Sequence, residues 1–487
     1  MEMVARSIHD VLKLALLLLL CAGMHPAAAQ DEESTELSQL LVLEGMNKDY
    51  VGDLPQLVER RFIRVLTVYN KTNYFMDGLQ QRGITYEIAK AFEDFINKDQ
   101  KIKKSRPIQI AMVPVSRDQL IPWLLEGRGD VIAANMTITD ERAALVSFAE
   151  PFASGIEELL VTGPGAPALT TVDDLAGKDV HVRFSSSYHE SLEALNADFA
   201  ARGLAPMNLI AADENLEDED LLEMVSAGIL PYVVVDGHIA KLWAEVLPDL
   251  TLREDLVFRD NGAIAWAVRP DSPELLAAVN RFVPKAKQGT SLGNTLIKRY
   301  FSVNKWITNP NGSDDRRRFE EAVPLFEQYA GQYGFDWVMI ASQSYQESRI
   351  DQSVRSHVGA MGVMQIKPET AADKAVGIPD ITTIEPNIHA GVRYLRWIID
   401  TYLDDPAIDD KNKLLLAFAG YNAGPGRLNS LRKKTAEDGR DPNVWFGNVE
   451  YAAAAKVGRE TVTYVANIAK YYYAYRLILA AQEKQAP

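Results

Sequence analysis

Cysteine is almost absent from the sequence, since Cys21 is the only one among 487 residues. It lies in an N-terminal segment that we expect to be removed, which leaves the mature chain without a thiol. Disulfides, cysteine-ligated metal sites and cysteine nucleophiles are thereby excluded. The seven histidines are scattered and show none of the spacings of metal-ligand pairs. We therefore expect neither a metal ion nor another cofactor.

Basic residues are too few to balance the acidic ones, and the formal net charge is −16. Residues 305–487 hold 22 Lys/Arg and 23 Asp/Glu, whereas the preceding residues hold 29 and 44. The excess of negative charge therefore lies in the N-terminal part, which argues against a nucleic acid as its partner. The nearly neutral C-terminal part can approach an anionic polymer without strong repulsion.

Long hydrophobic runs are missing as well. The longest, Leu14–Met24, has about 11 residues, fewer than the roughly 20 that a membrane-spanning helix needs. Basic residues precede this run and Ala27-Ala28-Ala29 follows it, which is typical of a secretory signal cleaved after Ala29. Leu20 precedes Cys21 where a lipoprotein signal would have a small residue, so we do not expect a lipid-modified cysteine.

Beyond this signal, the chain divides into a mixed part and a helical part. Runs of β-branched residues such as Phe62–Val68 alternate with segments of helical periodicity such as Thr85–Ile96, which predicts an α/β domain with mostly parallel sheets. After the turn-rich segment Asn309–Ser313, the periodicity is helical almost throughout. We predict a signal peptide over residues 1–29, a lead-in segment over 30–58, an α/β domain over 59–303 and a helical domain over 304–487.

One carboxylate in the helical part stands out by its position. Asp336 is a favourable N-cap for a predicted helix whose apolar residues form one face. Glu347 lies seven residues after Ile340, on or beside that face. A carboxyl group in such a poorly solvated place has a raised pKa and can act as a general acid. An ion pair of Glu347 with Arg349 or Arg355 is equally compatible with the position alone.

Four short motifs, spread from residue 347 to residue 465, accompany this carboxylate. Two of them combine glycines with an amide side chain, and one of these also carries an aromatic residue. Glycine lets the backbone approach a ligand closely. The motifs are Glu347-Ser348, Gly359-x-x-Gly362-Val363-Met364-Gln365, Tyr421-Asn422-Ala423-Gly424 and Glu460-Thr461-x-x-Tyr464-Val465. Their order and spacing resemble the lysozyme-like lytic transglycosylase family.

That resemblance implies cleavage of the bond between N-acetylmuramic acid and N-acetylglucosamine, with a 1,6-anhydromuramic end as the product. Glu347 would protonate the glycosidic oxygen and then accept the proton of the sugar's own 6-hydroxyl. No second carboxylate is then needed, unlike in ordinary glycosidases, and Asp351 is interpreted as a surface charge. Hydrolysis, in which a water molecule replaces the 6-hydroxyl, is an alternative outcome. The resemblance places Ser348, Gln365, Tyr421 and Asn422 along the cleft and Glu460 and Tyr464 at its border.

A second set of motifs lies in the α/β part. The segment Ala134-Asn135-Met136-Thr137-Ile138-Thr139-Asp140-Glu141-Arg142 follows a predicted strand, and Phe148-Ala149-Glu150-Pro151-Phe152 follows shortly afterwards. Both are similar to segments of the extracellular solute-binding proteins of amino-acid ABC transporters. This similarity implies a type II periplasmic binding protein fold, with two α/β lobes around a cleft and a hinge that the chain crosses twice.

The same similarity implies a set of ligand-binding residues. They are Asn135, Thr137, Arg142, Ser186, Ser187 and Asp236. Arg142 would pair with a ligand carboxylate through its guanidinium, to which the two serines at a helix start would add hydroxyl and N–H donors. Asp236 would bind the ligand's amino group. The alternative for Arg142 is a structural ion pair with Asp140 or Glu141.

The pairing of the two parts resembles the membrane-bound lytic transglycosylase F type. It implies that the protein acts on peptidoglycan glycan strands and is regulated by an amino acid or muropeptide in the N-terminal cleft. Its place would be the periplasm of a Gram-negative bacterium, peripheral to the outer membrane. Two alternatives stay open: a periplasmic amino-acid or peptide-binding protein with a non-catalytic, glycan-binding helical domain, and a scaffold that holds wall glycan.

Overall fold

The computed structural model describes residues 49–77, 80–226, 228–301 and 313–485. The predicted signal peptide and residues 30–48 of the predicted lead-in segment lie outside the described residues, as does the predicted domain boundary at residue 304. The last lead-in residues begin helix α1 (Leu54–Arg60), which Asp53 caps. This helix buries Leu54 and Leu57 against the core of the first lobe.

The first lobe is built around three strands that run parallel to one another. Its first elements are α1, β1 (Phe62–Thr67), β2 (Phe75–Asp77), β3 (Gln80–Arg82), α2 (Ile84–Asp99), β4 (Gln109–Pro114), α3 (Leu120–Leu125), β5 (Val131–Thr137), α4 (Asp140–Ala143) and β6 (Ser147–Phe148). Strand β1 lies between β4 and β5 and pairs with both in parallel. Every residue of β1 is buried, as expected for a parallel strand that is covered on both faces.

The chain then crosses into the second lobe and returns. The elements of this part are β7 (Ala153–Thr162), β8 (Asp179–Val182), α5 (Ser187–Ala201), β9 (Asn208–Ala211), α6 (Asp218–Ser226), β10 (Tyr232–Asp236), α7 (Gly237–Ala244), β11 (Thr251–Val268), α8 (Pro273–Ala286) and α9 (Ser291–Phe301). Leu160, Val234 and Trp243 lie in the core of the second lobe. Helix α8 packs back onto the first lobe, where Phe282 meets Phe92.

The two crossing strands, β7 and β11, pair antiparallel, and their register shifts several times between Arg253 and Ala263. Strand β11 also pairs antiparallel with β5, so the sheet order is β10-β7-β11-β5-β1-β4. The sheet is therefore mixed, and the expectation of mostly parallel sheets is wrong for the crossing strands. The physical reason is that a chain leaving and returning through adjacent strands reverses its direction between them.

The helical domain follows. Its helices are α10 (Ser313–Tyr333), α11 (Trp337–Ser348), α12 (Pro368–Ala372), α13 (Ile384–Tyr402), α14 (Asp410–Ala423), α15 (Leu428–Glu437), α16 (Glu450–Lys456) and α17 (Arg459–Gln485). Phe326 of α10, Ile340 of α11 and Phe418 of α14 are fully buried in one core. Helix α11 packs against both α10 and α17, so the helix that carries Glu347 lies inside the domain.

The last helix, α17, reaches from the helical domain to the second lobe. Val465 and Ile468 are buried in the core of the helical domain. A few residues further on, Tyr473 packs against the core of the second lobe, and Lys470 Nζ lies 3.0 Å from Asp220 Oδ2. Within the described part of the chain, no helix combines the length and the apolar character that a membrane span requires.

Candidate active site

Helix α11 positions Glu347 close to its C-terminal end. The predicted cap is confirmed, because the Asp336 carboxylate accepts a hydrogen bond from the Val338 N–H at 3.0 Å. The helix ends at Ser348, since Arg349 adopts the left-handed conformation with a φ of 55°. Glu347 is partly buried, one residue before this end.

The partner of Glu347 is a tyrosine, not an arginine. The hydroxyl of Tyr464, on α17, donates a hydrogen bond to Glu347 Oε1. The Tyr464 oxygen in turn accepts a hydrogen bond from Gln343 Nε2 at 3.1 Å. Arg355, one of the two predicted ion-pair partners, donates to backbone carbonyls of its own loop. The motif residue predicted to border the cleft is therefore in direct contact with the candidate acid.

Burial raises the pKa of Glu347 from 4.5 to about 7, although the hydrogen bond from Tyr464 acts in the opposite direction. No second carboxylate among the described residues contributes to this shift. Burial and the nearby Glu347 also raise the pKa of Tyr421 well above its usual value. Glu347 can thus hold a proton near neutral pH and release it to an acceptor, which is what a general acid needs.

The glycine motif wraps around the end of α11. Ser348 donates its hydroxyl to the Val363 carbonyl at 2.9 Å, and Tyr421 donates to the Met364 carbonyl at 2.8 Å. A Cβ atom on Gly362, where φ is 77°, would lie 2.4 Å from the Asn387 side chain. Only glycine therefore lets this loop pack closely against α13.

Gln365 also supports this loop. Its Nε2 group donates to the Gly362 carbonyl at 2.8 Å and to the Val354 carbonyl at 3.2 Å. The side chains of Ser348, Tyr421 and Gln365 thus hold the wall of the site through backbone carbonyls. Their contact with substrate stays a prediction.

The remaining predicted residues, Asn422 and Glu460, lie at the surface. Asn422 is exposed and accepts a hydrogen bond from the Thr461 hydroxyl at 2.7 Å. Glu460 is exposed near the start of α17. Asp351 accepts hydrogen bonds from the backbone and hydroxyl of Ser353, which lower the pKa of its carboxyl group. Asp351 is therefore engaged in a local turn.

In the N-terminal domain, Arg142 is held by the protein itself. Its Nη1 donates to the Thr137 carbonyl at 2.8 Å, within the first lobe. Its Nη2 donates to the Ser185 carbonyl of the second lobe at 2.7 Å. The guanidinium thus bridges the two lobes through backbone acceptors, and its pairing with a ligand carboxylate stays a prediction.

A second bridge between the lobes lies beside the first. Arg142 Nε is 3.7 Å from Glu190 of α5, so Arg142 does make an ion pair within the chain, but with Glu190 in place of Asp140 or Glu141. Thr139 also donates to Glu190, at 3.1 Å. Both bonds cross from the first lobe to the second, which holds the lobes together at this side of the cleft.

The two predicted serines begin α5. Ser186 caps this helix, because its hydroxyl accepts a hydrogen bond from the His189 N–H at 3.3 Å and donates to the Arg183 carbonyl at 2.6 Å. Ser187 is the first residue of the helix, and both serines are buried. The hydroxyl of Ser186 is thus engaged in the cap. The predicted ligand contact at this residue would therefore have to use its backbone N–H group.

Asp236 ends β10 and is only 1% exposed. Its Oδ2 accepts a hydrogen bond from Asn135 Nδ2 at 3.4 Å, across the lobes. Its Oδ1 has no hydrogen-bond partner in the part of the chain that the structure describes. Burial, with the nearby Asp218 and Glu158, raises the pKa of Asp236 well above its usual value. This oxygen can accept a hydrogen bond from a donor that the chain itself does not supply.

A buried acidic segment at the start of α6 was not predicted from the sequence. Its carboxylate residues are at most 8% exposed; they are Glu217, Asp218, Glu219, Asp220 and Glu223. Four cations from distant parts of the chain pair with it. These pairs are Lys71–Glu223, Arg183–Asp218, Arg117–Glu217 at 2.7 Å and Lys470–Asp220 at 3.0 Å. A run of acidic residues usually forms a solvated face, so the run itself does not indicate burial. The cations that make burial possible here are distant in the sequence, and only the fold brings them to this segment.

The raised pKa of Glu347 predicts a pH-dependent stability. The folded-state pKa of about 7 exceeds the ordinary 4.5. The contribution of this group to the free energy of unfolding is therefore fully present below about pH 4.5 and is lost as the pH rises through 7. Glu347→Gln removes that loss. We expect the variant to gain free energy of unfolding relative to the wild type between pH 5 and pH 8, by at most about 3 kcal/mol.

Denaturant unfolding at several pH values measures this difference. Glu369→Gln is the matched control, because Glu369 is exposed on α12, and it should show no such trend. A difference between Glu347→Gln and the wild type that stays constant with pH would contradict the raised pKa.

Two protein-family models match this chain. The family model described as "Transglycosylase SLT domain" matches residues 324–444. The model described as "Bacterial extracellular solute-binding proteins, family 3" matches residues 63–303. The predicted order of folds, a two-lobed α/β binding-protein domain followed by a lysozyme-like helical domain, is confirmed.

Similar proteins match over most of the chain. Membrane-bound lytic murein transglycosylase F of Desulfosudis oleivorans is 32% identical over 433 residues, which cover 84% of this chain and 89% of that protein. The protein of the same name from Aeromonas salmonicida is 28% identical and covers 86% and 83%. Among solved structures, a mutant of ArgBP from T. maritima is 23% identical with a TM-score of 0.42, covering 51% of this chain and 99% of that one. From its identity to the first relative over most of both chains, the protein belongs to the family of membrane-bound lytic murein transglycosylase F.

Proposed function

We propose that the helical domain is a peptidoglycan lytic transglycosylase, which cleaves MurNAc–GlcNAc β-1,4 bonds and leaves 1,6-anhydroMurNAc ends. The observation that carries this proposal is a single carboxyl group, Glu347, whose pKa of about 7 owes nothing to a second carboxylate among the described residues. A glycosidase with a carboxylate nucleophile needs a partner about 5 Å away. Attack by the sugar's own hydroxyl needs none.

In the first step, protonated Glu347 gives its proton to the glycosidic oxygen as the bond from that oxygen to C1 breaks. The hydrogen bond from Tyr464 then stabilises the carboxylate that remains. In the second step, this carboxylate accepts the proton of the 6-hydroxyl of N-acetylmuramic acid while the hydroxyl oxygen bonds to C1. Glu347 is protonated again, and no water is consumed.

Mass spectrometry of peptidoglycan digested by the purified full-length protein tests this reaction. We expect anhydromuropeptides from the wild type and, because glutamine cannot donate the proton, a loss of at least about 100-fold for Glu347→Gln. Glu369→Gln on α12 serves as the control and should retain the activity.

Three other outcomes would contradict the proposal in different ways. Products with reducing ends would indicate a hydrolase on the same site. Equal yields from the wild type and Glu347→Gln would exclude this carboxyl group as the acid. No products from any of the proteins would favour a periplasmic binding protein whose helical domain holds glycan without cutting it.

We further propose that the N-terminal domain binds an amino acid or a muropeptide and thereby changes the turnover of the helical domain. The unpartnered Oδ1 of Asp236 is a buried acceptor suited to the ammonium group of such a ligand, whose positive charge would counteract the raised pKa of Asp236 and favour its carboxylate form. Arg142 of the first lobe is the predicted partner of the ligand carboxylate, and its guanidinium reaches the second lobe at the Ser185 carbonyl. These two groups support a ligand that carries both charges.

Helix α17 supports the link between ligand and turnover. It carries Tyr464, which contacts Glu347, and, six residues further on, Lys470, which pairs with Asp220 of the second lobe. An α-helix transmits a displacement along its axis with little internal change, because every turn is hydrogen-bonded to the next. A movement of the second lobe can therefore change the position of Tyr464 relative to Glu347.

Lys470→Met tests this link, because it removes the charge that pairs with Asp220 and keeps an apolar stem. We expect the variant to retain basal turnover and to lose most of the change in turnover that a saturating ligand causes. The probes are purified anhydromuropeptides and each of the common amino acids, and the readout is the rate of product release. Lys456→Met, at an exposed lysine of α16, is the control. An undiminished response of Lys470→Met would contradict the link.

We propose that the mature chain begins after Ala29 and works in the periplasm, peripheral to the outer membrane. The signal-like pattern before Ala29 and the "membrane-bound" names of the relatives support this location. N-terminal sequencing of protein purified from membrane and soluble periplasmic fractions tests it. An uncleaved N-terminus in both fractions would contradict the proposal.

A further inference from the structure

Gln343 is a polar residue in a place where an apolar one would pack at lower cost. It lies four residues before Glu347 on α11, and therefore one turn away on the same face. Its side chain is completely buried. Nε2 donates to the Tyr464 oxygen at 3.1 Å, while Oε1 has no hydrogen-bond partner among the described residues. A buried carbonyl oxygen without a donor is unfavourable, so packing alone does not account for an amide here.

The hydrogen bond of Gln343 restricts the hydroxyl of Tyr464. A phenol has a single proton to donate, and its oxygen can accept at the same time. Because the N–H of Gln343 occupies this oxygen from one side, the hydroxyl proton points to Glu347 Oε1 on the other. With the amide reversed, the carbonyl of Gln343 and the carboxylate of Glu347 would compete for the same proton.

We propose that Gln343 is a positioning residue for Glu347, which directs the hydroxyl proton of Tyr464 to Oε1 and so keeps the transferable proton on Oε2. A protonated carboxyl group has one hydroxyl and one carbonyl oxygen, and the oxygen that accepts from Tyr464 is the carbonyl. After proton transfer, the same hydrogen bond stabilises the carboxylate. This inference rests on the proposed role of Glu347 as the acid and base.

The pH profile of turnover reports this arrangement. Among the described residues, the titratable groups facing Glu347 are Tyr464 from α17 and Tyr421 from α14, and burial raises the pKa of both well above the usual value of tyrosine. Neither therefore changes its charge near neutral pH, and the alkaline limb of kcat/KM follows Glu347. Because the Tyr464 hydrogen bond favours the carboxylate, weakening it raises the pKa of Glu347 and moves this limb to higher pH.

Gln343→Met tests the proposal, because methionine has a similar length and cannot donate. We expect its alkaline limb to lie about half a pH unit above that of the wild type, and that of Tyr464→Phe to lie higher still. If Gln343 acts through Tyr464, the double variant shifts no further than Tyr464→Phe alone. Gln346→Met, on the same helix and partly exposed, is the control and should leave the profile unchanged.

Gln343→Leu repeats the measurement with a different apolar side chain, and melting temperatures check that each variant folds. Additive shifts in the double variant, or an unshifted profile in both folded Gln343 variants, would overturn the role of Gln343 while leaving the role of Glu347 intact. A wild type that releases no anhydromuropeptides would overturn both. The two failures are therefore distinguishable.

Discussion

The burial of the Glu347 carboxyl group is the constraint on which the rest of the site depends. A carboxylate removed from water must either hold a proton or find a donor, and the structure provides for both states. Burial raises the pKa to about 7, so the proton is retained near neutrality. Tyr464 supplies one donor for the charged state. A single residue can then serve first as acid and then as base without a second carboxylate.

This arrangement depends on elements far apart in the chain. Glu347 and Tyr464 are 117 residues apart, and the helix that carries Tyr464 also meets the second lobe through Lys470. The acidic segment of α6 obtains its cations from both lobes and from α17. Removing one partner of a buried ion pair leaves the other charge buried and uncompensated, which is strongly unfavourable. The binding lobes and the helical domain therefore complete each other's charge pairing.

Local patterns in the sequence carried the predictions that the structure bears out. The cap at Asp336 and the place of Glu347 on a partly buried face follow from helical periodicity, which a few neighbouring residues define. The direct contact of Tyr464 with Glu347 could not be derived in this way, because it depends on how α17 packs against α11. The bonds of Arg142 were also out of reach, since the carbonyl of Ser185 is a backbone acceptor that any residue would provide.

The irregular pairing of β7 with β11 has a mechanical consequence. A ladder in constant register resists bending, whereas register shifts such as those between Arg253 and Ala263 leave residues without regular partners and make the ribbon compliant. This stretch lies between the part of β11 that pairs with β5 and the part nearest to the second lobe. The irregular stretch therefore separates two more regular ladders, one in each lobe, and gives the crossing a place to bend that disturbs neither core.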